Sequence, residues 1–208
     1  MANLLGNSDQ FDSYLTIAAK SEGVYKDRGS RFLYFAIPVR SEEEIKAELS
    51  ALRKTYFDAT HHCYAWILGK EGTQFRANDD GEPNHSAGDP ILGQIRSQHL
   101  TNILVVVVRY FGGTKLGVSG LIQAYKTSAA LALAENQIIR EWVKTSIKIR
   151  FPYPAMNEVM KIVKAHDLEI IEQERALDCQ MSLSFRAGLT ELVQPKLVEI
   201  DGLEQISD

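Results

Sequence analysis

The chain is poor in cysteine. It holds two, Cys63 and Cys179, far apart in sequence and with no ligand-spaced neighbour. That pattern excludes a disulfide framework and a cysteine-built zinc site. Long hydrophobic runs are missing as well: no stretch approaches the roughly 20 apolar residues that span a membrane. The leading MANLLGNSDQFDSYL has neither the basic start nor the apolar core of a targeting signal. The expectation is a reduced, cytoplasmic, soluble protein that contacts no membrane and carries no cofactor or metal. A formal net charge of -4 excludes a protein whose whole surface is basic, but leaves room for a local basic patch. One local absence points to such a patch. No Asp or Glu occurs between Pro90 and Ala134, whereas Arg96, Arg109, Lys115 and Lys126 do.

What is present is organised around LVVVVRYFGGTKLGVSGLIQAY, from Leu104 to Tyr125. Four consecutive valines predict a strand that is apolar on both faces and central in a sheet. Arg109 and Tyr110 stand at its exit. A loop with Gly112, Gly113, Gly117 and Gly120 follows, and a helix is expected to open near Ser119, capped by that serine. Glycines there suit a sharp bend or a close backbone approach. The N-terminus of a helix adds unpaired N–H groups and a partial positive charge, which suits an anion.

The remaining chain, at 208 residues with 45% hydrophobic and 24% charged composition, fits one large domain or two small ones. Strands are expected around Tyr14–Ala18, Gly23–Lys26 and Arg31–Val39. Ser41 with Glu44 forms a capping box before Ile45, Leu49, Leu52 and Tyr56 at helical spacing. HHCYAWILG, from His61 to Gly69, reads as a second strand buried on both faces. A polar loop covers Asn78–Pro90, and Asp89 with Pro90 is expected to cap a short helix. The boundary is placed at 138/139, with Asn136–Glu141 as a linker. Beyond it Ile147, Ile149 and Phe151 alternate with polar residues, and a helix carries Met156, Val159, Met160 and Val163. Strands at Leu168–Arg175 and Cys179–Arg186 and a helix over Thr190–Ile200 come next. That order, with a closing strand at Leu203–Ile206, predicts a small ferredoxin-like layer. The fold class is α+β. Acidic residues outnumber basic ones in this half, so it is not expected to grip phosphates unaided.

The glycine loop fails the two common phosphate fingerprints. Gly112 and Gly117 have Walker spacing, but Val118 stands where the lysine must be. No G-x-G occurs, so the dinucleotide turn is excluded too. LGVSGLI is not a nucleophile elbow, because position 121 is Leu. His61 and His62 would point to opposite faces of a strand, which works against one shared metal ion. Asp79, Asp80 and Glu82 form the one acidic cluster nearby. They could hold Mg²⁺ or move a proton, or they could cap backbone N–H groups in a turn.

THHCYAWILG, NDDGEPNHSAGDPIL and VVVVRYFGGTKLGVSGLIQAY resemble, in order and spacing, the signature blocks of the IMPACT family and its bacterial YigZ-like members. The resemblance runs from about Tyr14 to Glu135. It implies an N-terminal α/β domain of the type seen in a small-subunit ribosomal protein and in elongation factor G domain IV, followed by a ferredoxin-like C-terminal domain. It also implies a link to translation, since the eukaryotic relatives act in translational control by interfering with activation of a starvation-responsive kinase. Asn84-His85-Ser86-Ala87, Asp89 and Ser119 depart from the usual family residues.

The leading expectation is therefore a non-enzymatic regulator that binds RNA or the ribosome. Arg109, Lys115, Lys126 and the N–H groups around Gly112, Gly113 and Gly117 would meet phosphates, while Tyr110 or Phe111 stacks on a base. Arg31 and Arg76 would extend the groove, which faces His61, Asp79, Asp80 and Glu82. Two alternatives stay open: an enzyme on a phosphate-bearing small molecule using the carboxylates, and a module that binds a protein partner.

Overall fold

The computed structural model describes residues 12–175 and 178–206, so the first eleven residues of the leading stretch read as free of a targeting signal lie outside them. In chain order the strands are β1 (Ser13–Ile17), β2 (Ser21–Asp27), β3 (Ser30–Pro38), β4 (His61–Leu68), β5 (Gln74–Asn78), β6 (Ile103–Tyr110), β7 (Ile138–Trp142), β8 (Lys144–Phe151), β9 (Glu169–Arg175), β10 (Cys179–Arg186) and β11 (Glu204–Ile206). The helices are α1 (Glu42–Thr55), α2 (Gly88–Ser97), α3 (Gly117–Ala134), α4 (Met156–Ala165) and α5 (Thr190–Val198). None among the described residues is long and apolar enough to cross a membrane. The chain divides into two units. One is Tyr14–Glu141; the other joins Asp12 and Ser13 to the chain from Trp142 onward.

The larger unit is built on a five-stranded sheet in the order β2-β3-β6-β4-β5, with β6, the valine strand, in the middle. Its neighbours are antiparallel. Side chains alternate along a strand, so its four valines serve two cores. Val105 and Val107 pack with Ile91, Ile95 and Tyr125 of α2 and α3. Val106 and Val108 pack with Ile45, Leu49 and Leu52 of α1 on the opposite face. The register then decides which face each exit residue takes. Arg109 lies beside His61 of β4 and Phe32 of β3, all on the α3 face. Tyr110 lies beside Arg31, on the α1 face.

The smaller unit follows β-α-β-β-α-β order, with its sheet arranged β11-β8-β10-β9. Ile147, Ile149 and Phe151 turn inward onto Val159, Val163, Val193 and Leu197, as their alternation predicts. Asp12 belongs here: its buried carboxylate accepts hydrogen bonds from Arg186 Nη2 at 3.1 Å and from the Gly188 N–H at 2.9 Å.

Three local expectations are corrected, and one strand goes unanticipated. Asn136–Glu141 is not a linker, because β7 starts at Ile138 and pairs with β1. Helix α3 begins at Gly117, whose φ of 75° is left-handed; Leu116 precedes it with no side-chain cap, and Ser119 lies within the first turn. Asp89 does not cap α2. It sits inside the helix and meets His85 Nδ1 at 2.6 Å, while Asp79 takes the N–H groups of Ala87 and Gly88 at 2.9 and 2.8 Å. Finally, β5 has no counterpart in the sequence reading, since QFRAN is a short, mostly polar edge strand without clear alternation. The Ser41–Glu44 cap forms as expected, with Glu44 N–H donating to Ser41 Oγ at 3.2 Å.

Candidate functional site

The exit of β6, the start of β4 and the start of α3 enclose a groove of about 420 Å³, in the range of small-ligand sites (roughly 300–1,000 Å³). His61, Arg109, Phe111, Lys115, Leu116 and Gly117 are among the residues that line it. The loop between β6 and α3 is held by glycine chemistry. A Cβ on Gly112 would lie 1.9 Å from the carbonyl carbon of Gly29, so only glycine permits this approach. The Gly112 N–H donates to Ser30 Oγ at 3.2 Å, and the Phe111 N–H donates to Thr60 Oγ1 at 3.2 Å. Gly113 turns the chain with φ 87°. These contacts fix Phe111 at the mouth, where the residue is 48% exposed.

Arg109 occupies the floor and is not a free cation. It is 5% exposed, and its Nη1 donates to Glu82 Oε1 at 2.5 Å. The same oxygen accepts from Tyr125 Oη at 2.8 Å. The Arg109 guanidinium lies 5.5 and 5.6 Å from the ring centres of Phe32 and Phe111, a cation–π arrangement. Its Nε has no partner among the described residues. Burial raises the Tyr125 hydroxyl well above its ordinary range, and the nearby Cys63 and Glu82 add to this, so Tyr125 stays a neutral donor. Cys63 is likewise pushed up by burial and stays a thiol.

The acidic cluster does not converge on a single point. Asp79 Oδ1 accepts from Ala87 and Gly88, and Oδ2 accepts from His85 N–H at 2.9 Å. Asp80 Oδ2 accepts from the His62 N–H at 2.7 Å, and Oδ1 lies 3.5 Å from Arg53. Glu82 turns the other way, into the buried pair with Arg109. The capping reading of Asp79 and Asp80 therefore holds, and three carboxylates do not share a site. His61 Nδ1 donates to the Asp80 carbonyl at 2.8 Å, and its Nε2 stands 3.8 Å from Glu82. His62 points to the opposite face and is buried, and desolvation holds its imidazole below its ordinary range.

The structure thus brings His61, Glu82, Arg109, Phe111, Lys115 and Gly117 together, with Gly112 and Gly113 shaping the loop. It does not add the others to the groove. Tyr110 donates to Asp58 at 2.7 Å on the α1 face, with the Arg31 guanidinium stacked 4.9 Å from its ring centre. Arg76 lies beside Trp66 in the register, also on the α1 face. Lys126 is exposed on α3 without lining the groove. The apolar lining by Leu116, Val118 and Leu121 was not singled out from the sequence; all three are ordinary helix-start residues, and only the fold turns them to the groove.

An Impact N-terminal domain model matches residues 28–133. The chain is 31% identical over 193 residues to the IMPACT family member YvyE of Bacillus subtilis, covering 88% of each. It is 42% identical over 145 residues to an IMPACT family member of Thermus thermophilus, covering 69% of this chain and 76% of that one. A crystal structure of a protein described only as hypothetical superposes with a TM-score of 0.73 at 28% identity, covering 95% of this chain and 98% of that one.

Proposed function

This chain belongs to the IMPACT family, and from that premise we propose that it is a non-enzymatic regulator linked to translation that binds RNA or the ribosome through the groove at the start of α3. The observation that carries the reading is the half-exposed Phe111 ring beside Lys115 and the uncapped N-terminus of α3, which has no acidic residue in its first turn. A ring that can stack, a cation and open backbone N–H groups are the three elements of a nucleic-acid contact. The nearest carboxylate, Glu82, is already neutralised and does not repel a phosphate. Within the same reading we assign the larger unit to the elongation factor G domain IV type and the smaller to the ferredoxin-like type. The split β-α-β-β-α-β order with β8 and β10 central supports the second assignment.

The test is crosslinking in cells followed by sequencing of the bound RNA, comparing the wild type with Phe111→Ala/Lys115→Ala. Enriched RNA that is lost in the double variant is expected. Enrichment that survives it overturns the groove as the contact. The apolar side chains of Leu116, Val118 and Leu121 also suit a peptide segment, and partners retained after nuclease treatment but lost in Val118→Asp would favour that second reading.

A further inference from the structure

Unpaired and paired RNA make different demands on a binding groove. A duplex presents two rows of phosphates, with its bases already stacked inside, so a protein that grips it needs several cations along its surface. Here the strongest cation is spent. Arg109 is 5% exposed and bonded to Glu82, so turning it to a phosphate would leave a buried carboxylate uncompensated. Among the described residues that line the groove, Lys115 is the one exposed cation. What the groove has in greater measure is apolar surface: Phe111 is 48% exposed and Val118 53%, with Pro83, Leu116 and Leu121 beside them. Phe111 is also held in place before any ligand arrives, by its N–H bond to Thr60, the Arg109 guanidinium 5.6 Å from its ring and the close approach of Gly112 to Gly29. A platform that is already ordered loses little entropy on binding.

The charge pattern suits an anion, and the exposed Phe111 suits a flat apolar group beside it. No Asp or Glu stands between Pro90 and Ala134, the first turn of α3 carries no acid, and the one carboxylate on the floor is paired. Resting on the RNA reading above, we propose that the groove takes a single unpaired nucleotide of a single-stranded RNA, its base against Phe111 and its phosphate at Lys115 and the start of α3.

The experiment uses the full chain with a fluorescein-labelled oligouridine and the same strand annealed to oligoadenosine, followed by anisotropy across a salt series. The single strand is expected to bind about tenfold tighter than the duplex. Phe111→Ala should weaken single-strand binding by about tenfold, as expected for loss of one stacked base, while Phe111→Trp retains it. The log–log salt slope should be shallow, about −0.7 for one phosphate, and should flatten further in Lys115→Ala. Lys126→Ala, outside the groove, should change neither. Equal affinity for duplex and single strand, or single-strand binding that ignores Phe111→Ala but collapses in Lys115→Ala, overturns the unpaired nucleotide and leaves the broader RNA reading standing. Absence of binding by both RNAs overturns both.

Discussion

Arg109 and Glu82 form an ion pair at 2.5 Å, both side chains almost wholly buried, under the groove that their own strand and loop define. A buried pair of this kind is costly to break from one side, because the partner remains charged and desolvated. Glu82→Ala is therefore expected to lower folding stability by about 3–5 kcal/mol, and Arg109→Ala by a similar amount. The double substitution Glu82→Leu/Arg109→Leu should recover much of that loss. Urea unfolding of the three variants checks it; additive losses in the double variant would contradict the pairing. A binding assay on Arg109→Ala alone would thus report stability as much as contact.

Gly112 is expected to tolerate no side chain. A methyl group there meets the Gly29 backbone at 1.9 Å, and overpacking against backbone costs about 1–3 kcal/mol. Gly112→Ala should lower the thermal midpoint, whereas Gly93→Ala, with nothing within 4 Å of its Cβ position, should not lower it. Paired melting curves decide between them.

Asp12 links the smaller unit to acid pH. Burial pushes its carboxyl up, but hydrogen bonds from Arg186 and the Gly188 N–H outweigh this and hold it below its ordinary value. A carboxyl lowered in the folded state adds stability above its unfolded value, near pH 4, and loses it as pH falls through the lower folded value. Asp12→Asn should therefore destabilise at neutral pH and converge on the wild type in strong acid. Denaturation midpoints taken at both ends of that range test this.

Tyr34 gives the opposite window. Burial and its 2.6 Å hydrogen bond to Glu135 push the hydroxyl up to about 12. A tyrosine raised in the folded state adds stability that is fully present below about pH 10 and is lost as pH rises through 12. Tyr34→Phe should remove that dependence. Ultraviolet titration of the phenolate, compared between the two proteins, would show an ordinary value in the wild type if the contact were absent.

Local patterning sets the central strand, its two cores and the one-faced helix after Ser41. Period-two and helical patterning are local properties, and burial on both faces of four valines leaves little choice of place. It also determined that the glycine loop bends sharply beside a cation. Tertiary structure alone decided which charges are free. Arg109 reads as an exposed binding residue in one dimension, yet it is neutralised by Glu82, 27 residues away in sequence. Arg31 and Tyr110 turn to the opposite face because register assigns alternate residues to alternate sides. Asp79 lies among acids in sequence but satisfies the start of α2 in space. Partnership between distant groups depends on the fold bringing them together, and no local pattern encodes it. The corner between strand and helix lies where the glycines put it; Arg109 is paired beneath it, while Lys115 and Phe111 stay exposed there.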